Sequence, residues 1–427
     1  MEQAVRLFLV TLAAAVFGVP PPTWAWNAFV PVGGGGDNLY PPLVRFDAHR
    51  HVTVAGVVDS SSHSKSVVAS LSRKRGHLRW SYTLRTGGEN KIRHLIVDRH
   101  GDIVLAGYEN GMEDVFELGY FSVIKLDSST GAEQWHRELG PGQATGLAID
   151  PQDDVVVCGA QGTVSDWPNV DEVHPYLAKL AKQDGDVVWQ TDDVPGTGSL
   201  VVDANGDAVV AGGDMVAKYR GNDGTELWRV PAFGVDQASL VGRTDVVTVQ
   251  RDFADSPVTV VSDVVVRSGE DGAERWRRTF VRFVREDNRF TQLPFIASGG
   301  GVVLVEPEHP TVEIVNLDAL TGKETWRQRL DARGISSTVW EVVAAPHDLL
   351  MAWADGLVRL DPKTGSVSFR SFEPLGRSGV AVAPSGKVAM TEEDWAAGSD
   401  SLGFRVRTVH KHALRKKLRQ TQPSSVP

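Results

Sequence analysis

Cysteine is almost absent from this chain of 427 residues, and its absence restricts both stability and chemistry. Cys158 is the single cysteine, so no disulfide can form within the chain. It lies in the apolar stretch VVVCG, which is typical of a small buried side chain. The fold must therefore be stabilised by core burial alone.

Long apolar runs are also missing after the first residues. Arg6 precedes an apolar run from Leu7 to Val19, which is too short for a comfortable membrane span. Thr23 and Ala25 then stand at the −3 and −1 positions of a cleavage site. We interpret residues 1–25 as a signal peptide, with an uncleaved anchor as the alternative. Residues 26–410 then form the folded domain of a soluble protein that lies outside the cytoplasm, in a periplasm or secreted.

Basic residues are scarce outside the C-terminus. The net charge is −10, but the stretch from Phe404 to the end carries +7, leaving −17 for the rest. Nucleic-acid binding needs clustered Lys and Arg, so an acidic body excludes that class of partner. The basic tail, residues 411–427, is interpreted as disordered, although His410, Leu414 and Leu418 share the spacing of a short amphipathic helix.

Known catalytic motifs are missing too. The sequence contains no G-x-S-x-G, no H-E-x-x-H, no P-loop, no EF-hand loop and no haem-attachment motif. We therefore expect no catalytic residues, and a non-enzyme is favoured over an enzyme.

What is present is a repeat. A turn with glycine is followed four residues later by an aromatic, as in LDSSTGAEQW and LDALTGKETW. Asp can hydrogen-bond its own backbone and Gly can take positive φ, so each copy predicts a tight turn before a strand. The aromatics are predicted to pack between neighbouring units, and they are Trp80, Trp135, Trp189, Trp228, Trp276, Trp326 and Phe369.

A second repeat alternates with the first. Copies such as VDRHGDIVLAG from Val97 and VDANGDAVVAG from Val202 carry regularly spaced aspartates as their second residues, and weaker copies follow towards the C-terminus. Together the two repeats predict units of four antiparallel strands, here named A to D, with short A–B and C–D turns. Such units are blades of a β-propeller. We predict an all-β, eight-bladed propeller, with seven blades as the alternative. Because the last unit lacks a D strand, residues Asn27 to Val32 are predicted to supply it and close the ring.

These motifs resemble those of the quinoprotein-like, PQQ-like repeat β-propeller superfamily. The resemblance covers most of residues 27–410 and is specific for fold. It implies either a calcium- and pyrroloquinoline-quinone (PQQ)-dependent dehydrogenase or a non-catalytic secreted or envelope protein, such as the scaffold subunit of the outer-membrane β-barrel assembly machinery. The dehydrogenases carry an adjacent cysteine pair against the quinone, which this chain lacks. We therefore predict no cofactor, with PQQ and calcium as the alternative.

Candidate binding residues lie where strands B and C are joined. Three of these segments, Tyr108–Tyr120, Ala160–Tyr176 and Glu306–Glu313, look long and irregular, and they share one face, here named the B–C face. They combine acids with aromatics that are not blade residues, namely Glu113, Asp114, Phe116, Asp166, Trp167, Asp171 and Glu172. Such a surface suits a basic protein or a stacked sugar, while the carboxylates leave calcium open.

The sequence thus favours an exported, monomeric, non-catalytic propeller that binds a protein or glycan on its B–C face. A divergent PQQ-dependent dehydrogenase is the alternative, and a polysaccharide-acting enzyme with acids on the same face is a third hypothesis. No membrane-spanning segment is expected after signal cleavage.

Overall fold

The structure is a computed structural model. It describes residues 26–33, 38–39, 43–59, 64–84, 88–111, 119–166, 169–235, 237–253, 259–283, 295–298, 300–308, 311–331, 339–345, 348–353, 356–371, 380–383, 387–395 and 402–409. The predicted signal peptide and basic tail lie outside these ranges. Within them, no helix is long and apolar enough to cross a membrane.

Every regular element in the described ranges is a β-strand. The strands are β1 (Trp26–Gly33), β2 (Asn38–Leu39), β3 (Leu43–Phe46), β4 (Val52–Asp59), β5 (Ser64–Leu71), β6 (Leu78–Leu84), β7 (Glu89–Val97), β8 (Ile103–Gly111), β9 (Gly119–Leu126), β10 (Glu133–Ile149), β11 (Val155–Asp166), β12 (Asn169–Leu180), β13 (Val187–Thr191), β14 (Ser199–Val202), β15 (Ala208–Gly212), β16 (Met215–Tyr219), β17 (Glu226–Pro231), β18 (Gln237–Val241), β19 (Asp245–Phe253), β20 (Thr259–Arg267), β21 (Glu274–Phe283), β22 (Phe295–Ser298), β23 (Gly301–Glu308), β24 (Thr311–Asp318), β25 (Glu324–Asp331), β26 (Val339–Ala345), β27 (Asp348–Trp353), β28 (Gly356–Leu360), β29 (Val367–Ser371), β30 (Val380–Val382), β31 (Val388–Trp395) and β32 (Leu402–Val409).

The strands form antiparallel sets of four in the order A, B, C, D. Unit 1 is β3–β6, unit 4 is β14–β17, unit 5 is β18–β21, unit 6 is β22–β25 and unit 7 is β26–β29. Units 2 and 3 share the long strand β10, whose first half pairs with β9 and whose second half pairs with β11. Unit 8 is β30–β32 with β1 as its fourth strand. The described strands thus divide into the sets that the eight-bladed interpretation expects, while the number of blades itself stays a prediction.

The first strands of the units contact one another in a circle. Strand β3 contacts β7, β7 contacts β10, and the series continues through β14, β18, β22, β26 and β30 back to β3. Strand β1 pairs with β32 from Trp26↔Thr408 onwards, so the N-terminal strand supplies the fourth strand of the last unit as predicted. The predicted propeller of four-stranded antiparallel blades is confirmed. The pairing of β1 with β32 covers the strand edge that β32 would otherwise expose.

The core lies between units, because strands rich in valine bury both faces. Val156, Cys158 and Leu177 of unit 3 pack against Val210 and Tyr219 of unit 4 in one cluster. Similar clusters join units 6 and 7 and units 8 and 1. Fully burying one such aliphatic side chain stabilises the fold by about 1.5–3 kcal/mol, so adjacent blades stabilise one another.

The repeated tryptophans lie at these junctions. Each indole Nε1 donates a hydrogen bond of 2.8–3.3 Å to a backbone carbonyl in the C–D turn of the next unit, as Trp135 does to Lys182 and Trp189 does to Gly221. The ring also covers the turn glycine of that unit, and a Cβ on Gly224 would lie 2.6 Å from Trp189. The tryptophans therefore belong to the packing between blades. The side chain of Phe369, at the equivalent place in β29, lies outside the described residues.

Candidate functional site on the B–C face

The face that carries the A–B and C–D turns, here named the turn face, is held together by buried ion pairs. In unit 4 the Lys218 ammonium lies 2.7 Å from Asp203 Oδ2 and 3.4 Å from Asp207 Oδ2. It also donates to the Gly269 carbonyl of unit 5 at 2.7 Å. Units 2 and 3 repeat the arrangement with Lys125–Asp98 and Lys179–Asp150.

These lysines were not found from the sequence, although the aspartates were. Each aspartate also accepts hydrogen bonds from its own A–B turn, as Asp203 does from the backbone of Asn205 and Asp207. Unit 1 differs, because Asp47 contacts His51 and, at 3.9 Å, Arg79. The repeated polar groups of this face thus bind one another, and their role is structural.

The B–C face is less uniform. Strands β11 and β12 of unit 3 have twelve residues each, β19 and β20 of unit 5 have nine, and β15 and β16 of unit 4 have only five. The prediction that Ala160–Tyr176 is an irregular loop is wrong, because β11 and β12 stay paired as far as Asp166↔Asn169. The segment Glu306–Glu313 is likewise a hairpin, paired to Glu308↔Thr311. β-Branched residues such as Val164, Val170 and Val173 favour extended pairing over a loop.

The predicted binding residues divide by how far the structure describes them. Asp166 ends β11, and Asp171 and Glu172 lie in β12, so the hairpin brings these three positions to one end of unit 3. Their side chains lie outside the described residues. Trp167, Glu113, Asp114 and Phe116 lie wholly outside them, and the role of all seven as partner contacts stays a prediction.

A buried polar cluster in unit 2 is the described arrangement that most resembles a catalytic one. Glu109 accepts hydrogen bonds from Ser122 Oγ and from His136 Nε2, the latter at 2.5 Å. A nucleophilic serine would instead pass its proton to the imidazole. Here the carboxylate stands between the two groups, so the cluster ties β8, β9 and β10 together rather than activating Ser122.

This cluster predicts a pH dependence of stability. Burial by itself raises the pKa of Glu109, but hydrogen bonds from His136 and Ser122 outweigh it and lower that pKa; the hydrogen bond with Glu109 raises the pKa of His136. A raised histidine pKa stabilises the fold fully below about pH 6.5, and this contribution is lost as pH rises through the folded pKa. Because the pKa of Glu109 is lowered, the ionised carboxylate stabilises the fold fully above about pH 4.5, and this contribution is lost on acidification.

We therefore expect His136→Phe to lower the free energy of unfolding by about 1.5–3 kcal/mol near pH 6. The loss should be smaller near about pH 9, because the stabilisation from protonated His136 is lost as pH rises through its raised pKa. Urea unfolding at both pH values measures this difference. His136→Gln retains a donor without titrating and is the control. An equal loss for His136→Phe at both pH values would contradict the assignment.

The adjacent cysteine pair that the resemblance implies for a PQQ-dependent dehydrogenase is missing from this chain. Cys158 is fully buried in β11, where burial raises its thiol pKa to about 12, and it has no second cysteine to pair with. Among the described residues, no group of three or more His, Cys, Asp or Glu side chains could hold a metal ion. No chemical step through PQQ or calcium is therefore derived.

Comparison with known proteins bears on the fold of this chain. Residues 261–410, about a third of the chain, match the family model described as outer membrane protein assembly factor BamB. This stretch runs from β20 to the end of β32 and includes units 6 and 7. No curated protein sequence is significantly similar to the chain.

Solved propeller structures resemble the whole domain. A europium-containing methanol dehydrogenase is 12% identical, with 90% of this chain and 93% of that one covered and a TM-score of 0.52. The computationally designed Ika8 protein is 13% identical, with 91% and 99% covered and a TM-score of 0.55. BamB from Moraxella catarrhalis is 18% identical, with 90% and 98% covered and a TM-score of 0.48. At these identities the first two similarities show the fold alone.

Proposed function

We propose that this protein, a β-propeller of the PQQ-like superfamily, is a non-catalytic scaffold outside the cytoplasm that binds a protein partner through its B–C face. The family description supports this, since it names an assembly factor of the outer membrane. The scaffold would work without PQQ or calcium.

The observation that carries the proposal is the contrast between the two faces. On the turn face, repeated Asp, Lys and Trp side chains are bound within and between blades. On the B–C face, the hairpins differ in length from unit to unit, from five to twelve residues per strand in units 3 and 4. A repeat protein that varies on one face only is expected to bind there.

Charge points to the same face. The stretches of sequence that connect strand B to C and strand D to A contain fourteen Asp or Glu residues against five Arg and no Lys, a net charge of −9. Excess charge of one sign steers an oppositely charged partner to a surface and raises its association rate. A basic protein surface suits this field better than a neutral glycan does.

Site-specific photocrosslinking in the producing cell tests the proposal. A photoreactive phenylalanine analogue replaces Asn169 or Asp214 on the B–C face, or the exposed Ser129 or Asp223 on the turn face as matched controls. We expect one discrete protein adduct from the first pair and none from the second. Adducts of equal yield from both faces, or an adduct that resists protease and yields to glycosidase, would overturn the proposal.

A further inference from the structure

An aromatic side chain is presented to solvent on the B–C face of unit 4. Phe233 is 73% exposed, while Ala232 and Val235 on either side of it are 1% and 4% exposed. Single exposed apolar residues are common on proteins and need no explanation. Here Ala232 and Val235 anchor the turn in the core while the phenyl ring between them stays exposed.

The turn is held by hydrogen bonds to the neighbouring hairpin. The backbone amide of Ala232 donates to the Asp214 carbonyl, and the amide of Gly234 donates to Asp214 Oδ1, both at 2.8 Å. Gly234 has φ +60° and lies so close to β19 that a Cβ would meet the Arg251 carbonyl oxygen at 2.1 Å. The ring therefore stands on a preorganised backbone, so a partner that packs on it has little loop ordering to oppose binding.

The B–C hairpin of unit 4 is also shorter than the hairpins of units 3 and 5 on either side of it. Its strands β15 and β16 end at a two-residue turn, whereas the hairpins of units 3 and 5 continue for several more residues. Unit 4 contacts both neighbours through β10, β14 and β18. At about 3.3 Å per residue, the four additional residues per strand make the hairpin of unit 5 about 13 Å longer, so the end of unit 4 lies in a recess about that deep beside it.

The recess is acidic. Asp192, Asp193 and Asp214 are all exposed at its edge, and the Asp192–Gly198 connection lies directly on the unit 4 hairpin. Of the nearby bases, Arg229 already pairs with Asp193 and Glu226, and Arg251 of β19 lies beside Gly234 and has an interaction of its own. A segment that brings its own positive charge beside an apolar group would complement this surface.

We propose that Phe233 anchors a basic segment of the partner protein. An aliphatic or aromatic side chain of that segment packs on the phenyl ring, and its Lys or Arg side chains face Asp192 and Asp214. This inference rests on the proposed function and adds the chemistry of the partner to it.

The last described strand of the chain ends on the other face from Phe233. Strand β32 ends at Val409 opposite Val388, which begins β31 next to the A–B turn. The chain thus leaves unit 8 at the turn face, whereas Phe233 lies on the B–C face, four units away around the circle.

Binding of a labelled short peptide of alternating Arg and Leu, followed by fluorescence anisotropy, tests the inference. Phe233→Ser should raise the dissociation constant of the peptide about ten-fold or more, as loss of an aromatic anchor does. The double substitution Asp192→Asn and Asp214→Asn should raise the dissociation constant about three- to ten-fold at low salt. The increase should be much smaller at about 300 mM NaCl, because salt screens exposed charges. An asparagine at position 214 keeps the side-chain oxygen that accepts from the Gly234 amide, and it tolerates the positive φ of that position. The substitution therefore changes the charge alone.

Leu320→Ser is the matched control, since Leu320 is 75% exposed on the turn face and should leave binding unchanged. The inference is overturned if Phe233→Ser binds as the wild type does, or if a Glu–Leu peptide binds as tightly. It is also overturned if Phe233→Ser dissociates a dimer in sedimentation, or if peptide binding appears only after residues 411–427 are removed. Crosslinks from Asn169 that persist in Phe233→Ser would leave the scaffold function standing while this inference fails.

Discussion

Replacing Lys218 with alanine is expected to lower the free energy of unfolding by about 3–5 kcal/mol, because it leaves a buried carboxylate without its counter-ion. The Asp203 side chain is fully buried and the Lys218 side chain is only 3% exposed. The substitution also removes the bond from Lys218 to the Gly269 carbonyl, which links unit 4 to unit 5. Urea unfolding followed by tryptophan fluorescence measures the loss.

The controls separate charge from packing. Lys218→Met retains the apolar stem and should recover part of the loss, but it should stay well below the wild type. Arg220 lies two residues after Lys218; Arg220→Ala removes an exposed pair with Asp223, and stability should be nearly unchanged. If Lys218→Ala were as mild as Arg220→Ala, Lys218 would not be the counter-ion that holds Asp203 in the core.

The fold could be predicted from the sequence because it is repeated. A turn glycine four residues before a tryptophan specifies both a local turn and a ring position, and six copies agree with one another. The closing strand followed from counting, since the last unit lacked a D strand and Trp26–Gly33 had no other partner. The first inference depended on local turn chemistry, which short motifs encode well.

The buried lysines could have been found by comparing the two repeats. Lys125, Lys179 and Lys218 each stand six residues before the turn glycine, and they occur in the units whose A–B turns carry Asp98, Asp150 and Asp203. Unit 1 has Asp47 but Ser70 at the lysine position, and there His51 contacts the carboxylate instead. The sequence shows that the lysines and the aspartates occur in the same units. Only the register of strand C against the A–B turn shows that their side chains meet.

The surface was harder to predict, because exposed residues are under no packing constraint. Ala160–Tyr176 was interpreted as a loop because it looks long and irregular, yet polar and β-branched residues also suit a hairpin that extends beyond the core. Phe233 went unnoticed because PAFGVD contains no repeat and no motif. Its exposure depends on Asp214, which lies 19 residues earlier in the chain.

Trp189→Ala is expected to lower the free energy of unfolding by about 3–5 kcal/mol, the usual effect of truncating a buried aromatic. The indole is 8% exposed, covers Gly224 and donates to Gly221 O at 3.0 Å. Lys179 donates to the same carbonyl at 3.1 Å, so the indole and the ammonium share one acceptor in unit 4. Thermal and urea unfolding measure the change.

Glycine substitutions show whether this junction is a specific contact. A Cβ on Gly224, at φ +72°, would lie 2.6 Å from the indole, whereas one on Gly242, at φ +66°, would meet nothing within 4 Å. Gly242→Ala should therefore lower the free energy of unfolding only by the about 1–2 kcal/mol that alanine loses at positive φ. Gly224→Ala should lower it by more, because its methyl group also meets the indole ring. In the Trp189→Ala background the excess at Gly224 should disappear, because the clashing ring is gone. An excess that persists there would mean that the turn, and not the tryptophan above it, excludes the methyl group.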